Sequence, residues 1–460
     1  MEDVSASTEP ALLDPTNPSG PCTTSPRHYA WLFVFHASSL WVERMFDFAV
    51  AIFISKIYSG TFLQTSLYGL AITAAPIILS SFVGSLIDTS MKIIAVRIAL
   101  FIQKTAIIFS FISLIILDLQ KQDGDVLTDF HYYLFYCLLI TGAIMRLSTV
   151  GIKIGIERHW LAVLTKSDSG LLSSLNAILR RIDLLCGFFV PMFVSTISDL
   201  NTIYLTSICL ITLTVASFFV EIYSVTSLYK RFPILVEMDL PANIRSLNAS
   251  PVAVFRNLAF FVKHPLFLTS LSLSLLFCNV LSFGGTMIAY FKAVGFSDKQ
   301  VALVSGACTF TGIVGTFISP HLVRRIGLRW AGNAFLSQEV FYLALVVIAI
   351  HLVPVHSVAF YLALLAGTIL ARAGLCGFDL VQTQMIQEGV GFEQLGIYVG
   401  FQFGLQNAFE LGQYGLTTIW SDPDDFKYPA TMSLLIVGMS LVIFFSHGYL
   451  KPNPINSHFL

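Results

Sequence analysis

The chain has 460 residues, of which 55% are hydrophobic and only 12% charged, and its mean hydropathy is +0.78. That balance exceeds what a soluble domain needs to fill its core and identifies a polytopic membrane protein. A formal net charge of −1 without a basic arm excludes a nucleic-acid binder, and seven scattered cysteines with no C-x-x-C pair exclude a disulfide scaffold or a thiolate zinc centre.

Residues 1–28 are rich in Ser, Thr and Pro, lack the apolar core of a cleavable signal, and are expected to form a disordered cytosolic tail. An apolar run of about 20 residues crosses a bilayer as a helix. By that measure twelve spans are predicted, at 29–57, 63–86, 92–117, 129–157, 170–198, 202–228, 266–291, 298–322, 329–353, 357–387, 395–420 and 428–450. The expected fold class is all-α, with twelve transmembrane helices in two six-helix halves, 29–229 and 265–450. A cytosolic linker at 230–264 joins the halves, and a cytosolic tail at 451–460 follows them. With the N-terminus cytosolic, thirteen basic residues fall in inward segments against five outward (Lys56, Lys121, Lys292, Lys299 and Lys427), which places both termini inside.

The first span contains Glu43, Arg44 and Asp47, and charges at that depth are costly unless they work. At 3.6 residues per turn His36, Glu43 and Asp47 fall in one stripe, a candidate metal-binding face, while Arg44 lies about 100° round the helix. Hydrogen-bonded packing is the competing reading for His36. Gln103 and Lys104 sit in mid-span on the third helix, and Thr214 and Glu221 align on the sixth, a candidate cation or charge site. On the eleventh, Gln402, Gln406, Glu410 and Gln413 make a polar stripe that must face a cavity or other helices. The basic residues left inside the bilayer are Arg44, Arg97, Lys104, Arg146, Lys153, Arg180, Arg181 and Arg372. The acids left there are counted as Glu43, Asp47, Asp183, Glu221, Asp379, Glu388 and Glu410. Most should pair with one another. Asp88, Arg180, Arg181, Asp183, Arg372, Asp379 and Glu388 are expected to form ion pairs of an inner gate. No P-loop, G-x-S-x-G, H-E-x-x-H or Rossmann fingerprint is present, so no enzyme is predicted and energy must come from a gradient.

The segments Gly84–Lys92 and Gly315–Arg329, similarly placed in the two halves, resemble the loop signature of the major facilitator superfamily. Four longer motifs are more specific: His36–Val50, Ile156-Glu-Arg-His-Trp160, Asn176–Asp183 and Ala371–Glu388. In order and position they resemble the ferroportins, the solute carrier 40 iron exporters, in a non-vertebrate form. The resemblance implies a monomeric multi-pass protein, most simply of the plasma membrane, that exports ferrous iron with proton coupling and no permanently bound cofactor. Cobalt, zinc, nickel or manganese are alternative cargo. The family's helix 1 acid and His fall on Glu43 and Asp47. Its second-half Cys and His fall on Gly285 and Gln413, leaving Gln406 and Glu410 to line that half. Hepcidin, which engages that Cys in vertebrate members, is therefore not expected as a partner. The calcium ligands of vertebrate members fall on Glu43, Gln103, Lys104, Thr214 and Glu221. The ammonium of Lys104 stands where an amide would, so calcium dependence is not expected. The competing readings are an exporter of an organic cation and a transport-inactive metal-binding membrane protein.

Overall fold

The computed structural model describes residues 29–58, 63–123, 129–165, 168–200, 202–239, 251–283, 285–296, 298–355, 357–420 and 425–450. The two expected tails and the middle of the expected linker lie outside these residues. Among the described residues all regular structure is helical, and twelve membrane-length segments divide six and six. The first half holds α1 (Ala30–Ile57), α2 (Leu63–Thr89), α3 (Lys92–Asp123), α4 (Asp129–Ile152), α5 (Ser169–Leu200) and α6 (Ile203–Arg231). The second holds a broken α7 (α7a Phe267–Leu275, α7b Gly285–Ala293), α8 (298–326), α9 (328–352), α10 (Val358–Gly389), α11 (Leu395–Ile419) and α12 (Lys427–Leu450). Not every span is a simple apolar rod. α1 carries three charges in its middle, and α11 carries Gln402, Gln406, Asn407, Glu410 and Gln413, so neither has the uninterrupted apolar window of α3 or α6.

The expected spans are corrected in four places. α4 is followed directly by a π-helix at Lys153–Trp160 and a last turn at Leu161–Leu164, so the fourth span ends beyond 157. α8 and α9 are one helical run interrupted only at Gly327, whose φ of +80° a residue with a side chain rarely adopts. The seventh span is split by turns at 276–283. Exposed backbone there would be costly in a membrane, but Ser433 Oγ accepts from Val280 N at 3.0 Å and Asn279 Oδ1 from Leu281 N at 2.9 Å, so the break is internally satisfied. The polar connection is also partly helical, at Pro233–Met238 and Pro251–Lys263, and its residues 256–263 meet α7a at 88°.

Lipid is as apolar as the side chains it meets, so burial drives association only weakly and close packing decides which helices touch. Ile78, Leu303 and Val358 face outward at more than 70% exposure. Inside the first half, Phe46 and Phe53 of α1 meet Phe111 of α3 edge-to-face. Between the halves the contact is backbone to backbone. α11 presents Gly396, Gly400 and Gly404 at four-residue spacing to α2, where Gly84 meets Gly396 and Ser80 Oγ donates to the Gly400 carbonyl at 2.6 Å. A Cβ on Gly400 would lie 2.5 Å from the Ser80 carbonyl oxygen. Small residues at this spacing let two helices approach to backbone distance. α5 packs against α8 and α10 on the other side, and the two seams frame the central cavity.

Candidate functional site

A cavity of about 430 Å³ lies between the halves, lined from the first by α1, α4, the π-helix and α5 and from the second by α7, α10 and α11. Its charged lining is Glu43, Arg44, Arg146, Lys153, Glu157, Arg158, Arg180, Asp183, Arg372, Asp379 and Glu410, six cations against five acids. α1 brings in Glu43, 3% exposed, with Asp47 one turn further. Neither is a free ligand. Lys153 Nζ donates to Glu43 Oε1 at 2.9 Å, and Arg146 Nη1 reaches Glu43 Oε1 at 3.3 Å and Asp47 Oδ2 at 3.4 Å. The other Asp47 oxygen, Oδ1, is buried without a partner. Two acids thus face two cations, and the site is close to neutral as it stands.

Lys153 opens the π-helix, and the wider turn changes the azimuth of everything after it; Lys153, Glu157 and Arg158 all reach the cavity wall while His159 is buried at the seam.

His36 is corrected out of the metal-binding stripe. Its Nδ1 lies 3.3 Å from Glu157 Oε1 and its Nε2 3.1 Å from the Leu179 carbonyl, so both ring nitrogens are engaged away from the carboxylates. Arg44 is corrected in the other direction. It lines the same cavity and donates to Asp183 Oδ1 at 2.8 Å, while Arg180 donates to Asp183 Oδ2 at 2.7 Å and reaches Asp379 on α10 at 3.3 Å.

The candidate cation set on α3 and α6 separates into three. Lys104 Nζ donates to Glu221 Oε1 at 2.7 Å, with Ser38 Oγ donating to the same oxygen at 3.2 Å. Gln103 instead bonds Thr149, and the Thr214 hydroxyl bonds back to the Leu210 carbonyl. With an ammonium already on the carboxylate, these residues do not form an oxygen cage for calcium. In the second half, Gln406, Glu410 and Gln413 line the cavity, and Gly285 opens α7b beyond the break. Among the described residues no three His, Cys, Asp or Glu side chains converge on one point.

One end of the cavity is closed, but mostly not by ion pairs. Asp88 accepts from the Gly396 and Ile397 amides at 2.9 and 2.7 Å and holds His159 Nε2 at 2.8 Å, placing a carboxylate on the N-terminus of α11. Arg181 donates to Thr316 and lies over the Phe317 ring at 3.5 Å, Arg372 donates to Ser282, and Glu388 accepts from Gln384. Asn176 and Gln387 add an amide bridge between the halves at 2.6 Å. Of the expected gate ion pairs, those carried by charges of both signs are Arg180 with Asp183 and Asp379, together with Asp88 when His159 is protonated.

Sequence reasoning did not select Arg146, Lys153 or Glu157 as site residues, although each is a charge inside an apolar span. It passed over Glu339, a buried acid in the middle of α9, altogether. The visible signal was charge at membrane depth; the missing information was which faces the π-helix turns inward.

The Ferroportin1 (FPN1) family model matches residues 26–437. Solute carrier family 40 member 1 from Oryza sativa subsp. japonica is 26% identical, covering 91% of this chain and 90% of that protein. Homo sapiens ferroportin is 24% identical, with 90% of each covered. A bacterial homologue of the iron transporter ferroportin superposes with a TM-score of 0.82 in its outward-facing state, at 23% identity over 92% of this chain and all of that one. The inward-facing state gives 0.62 at 21% identity over 92% and 99%. The major facilitator superfamily proton:xylose symporter XylE gives 0.66 at 14% identity over 93% and 97%. On the match over nearly its whole length, this chain belongs to the ferroportin family of membrane transporters and has the major facilitator fold.

Proposed function

We propose that this protein exports divalent iron from the cytosol by alternating access, with proton coupling, and that Glu43 and Asp47 are its principal metal-binding pair. The observation that carries the reading is that Glu43 of α1 lines a cavity between the two helical halves, with Asp47 one turn further along the helix and Arg146 bridging the two carboxylates. Lys153 and Arg146 hold the charge of the empty pair, and a divalent ion takes the carboxylates by displacing them. Because the competing cations are tethered, the site releases its cargo when they return. Carboxylate oxygens suit hard and borderline ions, so cobalt, zinc, nickel and manganese belong to the same cargo class. The sequences of the relatives support iron as the substrate, since their printed names include ferroportin and their solved counterparts are iron-transporter homologues.

The closed end carries Lys92, Arg158 and Arg324, in keeping with a cytosolic face and a cavity open outward, and the plasma membrane is the simplest address. The test is ferrous iron flux in proteoliposomes holding the purified chain. Flux should run down the iron gradient, rise with an opposing proton gradient and fall to background in Asp47→Asn. Parent flux indistinguishable from empty vesicles would defeat the reading.

Alternating access requires the α2–α11 seam to part. Gly400→Val places a side chain against the Ser80 carbonyl and should favour the conformation open at this end. Spin labels on either side of the seam should then show a longer distance distribution than in the parent. An unchanged distribution would mean that this seam is not the moving gate.

A further inference from the structure

Glu339 has no part in the site described above. It lies in the middle of α9, 1% exposed, with Oε2 free of any hydrogen-bond partner. Opposite it, α10 presents Gly374, where an added Cβ would lie 2.6 Å from the Phe335 carbonyl and 3.1 Å from Glu339 Cβ, so the two helices touch backbone to backbone. An ionised carboxylate without a partner at that depth is among the costliest arrangements a membrane protein can hold, whereas the neutral acid is not.

The charged group within electrostatic reach of Glu339 is Arg372, two residues before Gly374 on α10. Arg372 is occupied elsewhere: its Nη1 donates to Ser282 Oγ at 3.3 Å, at the break of α7, and it lines the cavity. The thiol of Cys308 on α8 stands near the same guanidinium, while that of Cys376 on α10 belongs to Arg180. Of the other elements packed on the α8–α9 run, α7b carries Lys292 near its C-terminal end and α12 carries only Lys427 and His447 at its ends. Arg372 is thus held at Ser282 by the helix break while the carboxyl of Glu339 lies within its electrostatic reach.

We propose that Glu339 is a proton-binding site, loaded while Arg372 bonds Ser282 and emptied when Arg372 turns to face it. On release the Oε2–H bond breaks, the proton passes to water that enters from the cavity through the space Arg372 vacates, and the carboxylate left behind takes the guanidinium as its counter-ion. No oxidant or further reactant is needed. The movement frees the α7 break from α10, which ties the proton to the part of the second half most able to bend. This deepens the transport reading by naming the group that carries the coupled proton.

Dicyclohexylcarbodiimide, which reacts with protonated carboxyls in apolar surroundings, tests the site without any cargo. In the full-length protein in lipid, peptide mass spectrometry should find the adduct at Glu339 at about pH 6 and little of it at about pH 9. The second arm uses Glu339→Gln, a neutral side chain of the same shape, in proteoliposomes with an internal pH dye. Iron exchange should persist while iron-driven proton movement is lost. No adduct at any pH, an adduct indifferent to pH, or proton movement retained in Glu339→Gln would each overturn the proposal. A pH-dependent adduct in a parent that moves no iron would support the proton site and count against the transport reading alone.

Discussion

Lys104→Met is expected to destabilise the protein by about 3–5 kcal/mol, the usual cost of stripping one partner from a buried ion pair. Glu221 is fully buried, Lys104 is its only charged partner at 2.7 Å among the described residues, and the hydroxyls of Ser38 and Ser217 cannot compensate a carboxylate. Because the penalty comes from the orphaned charge and not from the lost attraction, removing both charges should undo most of it. Lys104→Met/Glu221→Leu should melt close to the parent, and Lys104→Met far below it. A double variant as unstable as the single one would show that Lys104 matters for packing instead. The same geometry bears on calcium. With the ammonium seated on Glu221, added calcium should leave the parent's melting temperature unchanged, and a calcium-dependent rise would mean that the ion can displace Lys104.

Binding at the cavity should respond in opposite directions to the acids and to the cations that hold them. Glu43→Gln or Asp47→Asn takes away half of the pair's negative charge, and cobalt affinity measured by titration calorimetry should fall by about tenfold or more. Lys153→Met removes the nearest competitor for Glu43, 2.9 Å away, while Arg146 still bridges both carboxylates. Cobalt should therefore bind about tenfold more tightly to Lys153→Met, and iron flux should slow because release loses its returning counter-charge. Weaker cobalt binding in Lys153→Met would sink the idea that ammonium and metal compete for one carboxylate. Unchanged binding in both Glu43→Gln and Asp47→Asn would move the site across the cavity towards Glu410 and the glutamines of α11.

Much of the architecture is legible in the amino-acid order because the properties that decide it are local. Twenty apolar residues make a span wherever they occur, so the number of spans and the six-and-six division follow from composition along the chain. The same is true of the list of charges at membrane depth, apart from the oversights at Glu157 and Glu339. The motif from His36 to Val50 likewise marked α1 as the helix of the carboxylate pair.

What only the tertiary structure decided is who faces whom. His36 and Glu43 share a helix face, yet Glu43 turns to Lys153 at the start of the π-helix after α4 and His36 to Glu157 one wide turn further on. Arg44 seemed to point away from the site until α5 arrived beside it with Asp183. Asp88 reads as a loop acid, and only the approach of α11 supplies the two amides that make it a lock. Each of these pairings depends on the depth and rotation of two helices about 110 to 310 residues apart in the chain. Hydropathy sums along the chain and carries neither coordinate, whereas a buried charge finds its partner only where both coincide.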